Sequence, residues 1–231
     1  VASTTPTSGE VLTFNGTAWA PATPTTGGGG GVTDHGLLTG LTDDDHTQYL
    51  LGDGVRATTN GFAVTGTFGS GAIPATGAGT RLMWYPGKAA FRAGNISYYL
   101  LWDDTNIGAF STAMGNDVTA SGQSSTAMGR QTTAIGGNST AMGENTTASG
   151  PTSTAMGQLT TASGFASTAM GAFTTASGGF STAMGSYAST NSTTGSFVYG
   201  DNSSGGAVVN ATAPNSFVVR AQHLWFGPAG G

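Results

Sequence analysis

Cysteine is absent from all 231 residues, so no disulfide can staple the chain and no thiol can serve as nucleophile or metal ligand. Charge is almost as scarce. Asp, Glu, Lys and Arg make up 7% of the chain, against roughly a quarter in an ordinary soluble domain. Six Lys and Arg residues and a net charge of −5 leave no basic patch to displace counterions from phosphates, which excludes nucleic acid as a partner. No apolar run approaches the ~20 residues that span a bilayer, so membrane insertion is not expected. No signal peptide opens the sequence, and a start at Val1 without Met reads as a fragment or a processed product. With three histidines, no HExxH and no GxSxG, the chain has no constellation for catalysis and none for a cofactor.

What is present is small. Gly, Ser, Thr and Ala dominate, and the 40 glycines follow no collagen period. A bulky apolar core cannot be built from these residues. The chain must either stay disordered or stack small side chains in a repetitive lattice, and its internal repeats decide for the lattice.

Residues 1–32 read as an N-terminal hairpin and a Gly/Pro linker. Asn15-Gly16 supplies a tight turn between Val11-Leu12-Thr13-Phe14 and Thr17-Ala18-Trp19, and Pro21, Pro24 and Gly27 to Gly31 follow as a joint. Residues 33–53 form a polar segment that holds His35, Asp43, Asp44, Asp45 and His46. Residues 54–110 suggest a small β module with Met83-Trp84-Tyr85 and Tyr98-Tyr99-Leu100-Leu101-Trp102. From Ser111 a repeat takes over. Ser-Thr-Ala-Met-Gly recurs with Met114, Met128, Met142, Met156, Met170 and Met184 spaced by fourteen each time. A second unit, such as Thr146-Thr147-Ala148-Ser149-Gly150, lies between successive copies. Each 14-mer is thus two seven-residue units, the signature of an array whose members bury their faces on one another.

Seven residues divide into a strand of about four and a turn of about three. Alternation along the strand sends Thr112 and Met114 one way and Ser111 and Ala113 the other. Glycine at the fifth place allows a left-handed backbone or a close chain approach. Stacked coils make ladders of identical residues, and the strict period marks the six methionines as filler of the repeat core. A single thin roll buries too little to offset ~1.5 kcal/mol of ordering entropy per residue. Pairing with other chains is therefore expected.

The repeat over residues 111–194 resembles the head repeat of trimeric autotransporter adhesins, with Met in place of the usual Ile. That resemblance implies a left-handed parallel β-roll, three of which pack about one axis. The flanks resemble another group. Leu41-Thr42-Asp43-Asp44-Asp45-His46-Thr47-Gln48-Tyr49-Leu50 looks like a segment common in bacteriophage tail fibres, and Gly9 to Trp19 is similar to a unit of the same proteins. Asn215-Ser216-Phe217-Val218-Val219-Arg220-Ala221 resembles the end of such a fibre, ahead of a chaperone domain lost by autoproteolysis or truncation.

His46 and Asp44 are the weak candidates for a metal, against a reading in which the acids cap a turn and His46 bonds locally at a trimer contact. The variable turn places grow aromatic towards the C-terminus, at Phe165, Phe173, Phe180 and Tyr187. A row of exposed rings suits receptor contact, by sugar stacking or a protein partner, or else packing between protomers. A flat Thr array also raises ice binding, which the flanks disfavour.

The expected protein is an all-β, left-handed parallel β-roll (solenoid) of 14-residue repeats, assembled as an intertwined homotrimeric fibre. Its expected order is 1–32 hairpin and linker, 33–53 polar trimeric segment, 54–110 β module, 111–200 roll shaft and 201–231 C-terminal cap. Its expected role is structural: a tail-fibre-like virion protein, with other tail or fibre proteins as neighbours, that attaches to a host surface glycan or protein. The alternative is a bacterial trimeric surface adhesin or an extracellular filament subunit.

Overall fold

The computed structural model describes residues 7–23, 63–97, 100–203 and 205–224. The polar segment 33–53, the glycine run Gly27 to Gly31, and Tyr98 and Tyr99 lie outside the described residues. The chain divides into two units, Val1–Phe62 and Ala63–Gly231.

In the first unit, β1 (Val11–Phe14) and β2 (Trp19–Ala22) form an antiparallel hairpin with Phe14 opposite Trp19. The turn is longer than expected and moves the second strand two residues on. Asn15 explains it: its Oδ1 accepts from the amides of Thr17 and Ala18, and its own N–H donates to the Ala18 carbonyl. Gly16, at φ +95°, takes the left-handed position.

The second unit opens with an antiparallel pair, β3 (Gly79–Tyr85) and β4 (Ala90–Ile96). Long strands then recur every fourteen residues: β5 (Thr112–Asn116), β7 (Thr126–Arg130), β9 (Thr140–Glu144), β11 (Thr154–Gln158), β13 (Thr168–Ala172) and β15 (Thr182–Ser186). Short strands lie between them: β6 (Thr119–Ala120), β8 (Thr133–Ala134), β10 (Thr147–Ala148), β12 (Thr161–Ala162), β14 (Thr175–Ala176) and β16 (Ala188–Ser189). β17 (Phe197–Gly200), β18 (Val209–Asn210) and β19 (Phe217–Arg220) end the series. The long strands stack with β3, β4, β17 and β19 into a ten-stranded sheet, and the short ones with β18 into a seven-stranded sheet. All pairings after β3–β4 are parallel, with Thr on Thr, Ala on Ala and Met on Met. This is the expected parallel roll of 14-residue repeats.

The two units of a coil differ because their glycines differ. Gly115 to Gly171, in the first unit, have φ between +118° and +134°, a backbone that continues the ladder one residue further. In the second unit, Ser121 and Gly122 both donate to the Ala134 carbonyl, and the strand stops. Either glycine is required by space. A Cβ on Gly115, Gly129, Gly143 or Gly157 would lie 1.9–2.0 Å from a glycine carbonyl oxygen one coil on, and on Gly122, Gly136, Gly150 or Gly164 it would lie 2.0–2.2 Å away.

The first and third places point inward. Ala113, Ala120 and their equivalents through Ala183 are fully buried, as are the first-place residues from Ser111 and Val118 to Thr174. The seventh place carries a feature absent from the sequence reading. Every seventh residue from Asp117 to Tyr187 has φ between +51° and +56°, whatever its side chain. Its amide donates to a sixth-place carbonyl of the preceding coil, as Gln131 does to Asn116 and Phe180 to Phe165. That bond fixes a conformation costing ~1–2 kcal/mol in a non-glycine residue.

Both ends depart from the expected boundaries. β4 pairs in parallel with β5, so residues 79–96 are the first strands of the roll's own sheet. Trp102 is fully buried there and donates through Nε1 to the Val118 carbonyl at 2.8 Å. At the other end the ladder passes Gly200. The coil grows to fifteen residues (Thr182 to Phe197) and then twenty (Phe197 to Phe217), yet pairing continues through Arg220. The offset strand Phe197–Gly200 is therefore an internal rung rather than the last coil.

Candidate functional site: the outer face and turn columns of the roll

Alternation places the six methionines outside. Met114 is 41% exposed and Met128 to Met184 are half-buried, while the alanines beside them are sealed. The expectation that Met114, Met128, Met142, Met156, Met170 and Met184 fill the repeat core is thus corrected. The interior is too narrow for them: strand and facing strand leave room for Ala, Ser, Thr and an occasional Val. The thioethers instead form one outward column beside a column of Thr112 to Thr182.

Those two columns run the length of the ten-stranded sheet. The methionine column continues through Ala93 to Leu82 at one end and through Tyr199 to Val219 at the other. The threonine column continues through Phe91 to Trp84 and through Phe197 to Phe217. No residue of either column is charged. Leu82 and Phe217 at the ends are 73% and 71% exposed and most residues between them are half-buried, so an uncharged face stands half-open on a single chain. The opposite sheet presents Thr119 to Thr175 with Ser121, Ile135, Ser149, Ser163 and Ser177, a more polar surface.

The four turn aromatics do not form one row. Phe173 and Tyr187 share the turn column after the long strands and stack in parallel, with centroids 4.7 Å apart and planes at 1°. Gly206 covers Tyr187 closely enough that a Cβ there would meet its ring. Phe165 and Phe180 lie in successive turns after the short strands, at the sixth and seventh places, and meet edge to face at 5.2 Å. They are 51% and 65% exposed. The first pair spends its ring faces on its own neighbours. The second keeps open aromatic surface.

Among the described residues, charges cluster at turns and ends. Arg130 pairs with Glu144 along the turn column. The Tyr85 hydroxyl and then the Lys88 ammonium hold the Asp104 carboxyl below its usual range. Asp201 is likewise held low, first by the Ser203 hydroxyl, and also accepts from Arg220 Nε and the Gln222 amide. Arg92 is the charge that the sequence reading overlooked. It lies opposite Ala113, wholly buried, and donates to the carbonyls of Phe91, Ser111 and Ala120 and to the Ser111 hydroxyl. Burial pushes its pKa down to about 10, so it plugs the end of the roll as a cation. Only its inward register, read from the ladder Arg92–Ala113, could have revealed it.

His46 and Asp44 lie outside the described residues. Among the described residues no three His, Cys, Asp or Glu side chains gather as metal ligands.

Comparison with protein families finds the YadA head domain repeat, a two-copy model, in segments 107–132, 120–143, 134–160 and 162–188. These residues form the regular part of the roll, and over that stretch the coils are YadA-type head repeats. No curated protein matches the chain.

Proposed function

We propose that this chain is a stretch of a trimeric, adhesin-type surface fibre, located on a bacterial surface or outside the cell. The observation that carries the proposal is the uncharged face of Thr and Met columns, half-open on one chain and continuous from β3 to β19. Two further copies close it. An interior of alanine, serine and threonine is too thin to hold a roll by itself, and a second and third roll bury what one leaves wet. The head repeats, whose family is that of trimeric adhesins, support the same assembly. The role is structural and adhesive rather than catalytic, with Phe165 and Phe180 as the turn surface offered to a glycan or protein partner. Phe173 and Tyr187 serve the column instead.

A chain without cysteine makes the test direct. Met156→Cys places a thiol on the proposed contact face, and Ser163→Cys places one on the opposite sheet. Mild oxidation should link chains through the first and not the second. Absence of a link through position 156, with the fold intact, counts against the assembly.

A second reading keeps the adhesive fibre and changes its owner to a virion tail. It rests on the tail-fibre likeness of residues 9–19 and 41–50. Antibody labelling of bacteria and of released phage particles separates the two readings.

A further inference from the structure

The fourth place of the first unit is methionine in all six coils, although the turn residues that follow have diverged. Their turn residues run Asn116-Asp117, Arg130-Gln131, Glu144-Asn145, Gln158-Leu159, Ala172-Phe173 and Ser186-Tyr187. The invariant glycines face a carbonyl oxygen and the invariant alanines a sealed interior, while the invariant Thr112 to Thr182 share the outward face with the methionines and suit a strand by β-branching. Methionine has no such cause within the chain, since it points outward. Strands favour branched residues over Met, so strand propensity does not account for methionine there.

We infer that the column is kept for its sulfur and forms a binding site for a soft monovalent cation, Cu(I) or Ag(I), gripped between thioethers of adjacent coils. The register sets Met114, Met128, Met142, Met156, Met170 and Met184 directly over one another. Adjacent strands lie ~4.8 Å apart. Metal–sulfur bonds of about 2.3 Å, as for zinc, put two sulfurs on opposite sides of a linear ion ~4.6 Å apart. The strand spacing therefore matches the sulfur separation that a two-coordinate soft ion needs, and three rotatable bonds per side chain let the sulfurs reach it. Thioethers select soft ions, and the uncharged face offers nothing to hold a hard divalent one. Each pair of donors belongs to one chain, so the site does not depend on the trimer. Three columns brought together would add sulfurs to each layer.

Silver titrated calorimetrically into the full chain, in chloride-free buffer, tests this. Wild type should bind more than one Ag(I) per chain, saturably. The variant with Met128, Met142, Met156 and Met170 all changed to Ile should lose at least tenfold in affinity while keeping its circular dichroism and native mass. Met83→Ile, on a buried residue outside the column, should bind as wild type does. If the fourfold variant does not fold, uniform replacement of methionine by norleucine removes the sulfur at nearly constant shape and should give the same loss. Wild type that binds no silver, or sulfur-free protein that binds it unchanged, overturns the inference. Native mass recorded on the same samples keeps a failure of assembly separate from a failure of binding.

Discussion

A Cβ built on Gly143 would stand 2.0 Å from the carbonyl oxygen of Gly157, one coil further along the roll. Gly143 also has φ +119°, a region that L side chains rarely adopt. Both obstacles are backbone, so neither yields to a rotamer change. Gly143→Ala is expected to cost several kcal/mol, at the severe end of single substitutions. Thermal unfolding followed by circular dichroism should show a large drop in Tm or loss of the β signal. A shift within a degree or two would contradict the close stacking of coils.

The interior holds a column of threonine hydroxyls at Thr132, Thr146, Thr160 and Thr174 that find no hydrogen-bond partner. Burying an unpaired hydroxyl costs about 1–3 kcal/mol. Val118 fills the equivalent place in the first coil, so a methyl fits there. Thr146→Val and Thr160→Val should each stabilise the roll by about 1 kcal/mol and raise Tm. A lowered Tm would mean that those hydroxyls have partners after all.

Thr152 holds φ +55° with a β-branched side chain. Asn138, one coil earlier in the same column, is a residue that tolerates that conformation. Thr152→Asn should therefore stabilise by about 1 kcal/mol, read as a higher midpoint in denaturant.

Asp104 and Asp201 are both held below the ordinary carboxylate range, by the Tyr85 and Ser203 hydroxyls respectively. A carboxyl with a depressed folded pKa stabilises fully above its unfolded value, near 3.8. That contribution fades as pH falls through the lower folded value. Tm should accordingly drop below pH 4, and Asp104→Asn combined with Asp201→Asn should flatten that drop. An acid profile identical in the double variant would assign the loss to other groups.

Period two and period fourteen together separated Ser111 and Ala113 from Thr112 and Met114 on opposite faces of the strand, because alternation is set by the backbone alone. They do not say which side is the core. Methionine, the largest side chain of the repeat, invites the inner side. The narrow gap between strands decides against it. Nor does composition foretell a left-handed backbone at Leu159, Phe173 and Tyr187. No local preference favours it there; the amide bond to the preceding coil imposes it from outside. The continuation of the roll to Arg220 was hidden for a similar reason. Pairing survives when a coil grows from fourteen to twenty residues, while the visible repeat does not. Of the turn aromatics, the sequence marked the residues but not their division between two sets of turns, which follows from the alternation of long and short strands.

The open Thr and Met face is the claim on which the fibre rests, and the native mass of the full chain tests it most directly. Static light scattering on purified protein should give three times 22.8 kDa, or 68.4 kDa, independent of dilution over the micromolar range. A monodisperse, folded species of 22.8 kDa would show that one roll stands alone with that face in water, and would contradict it.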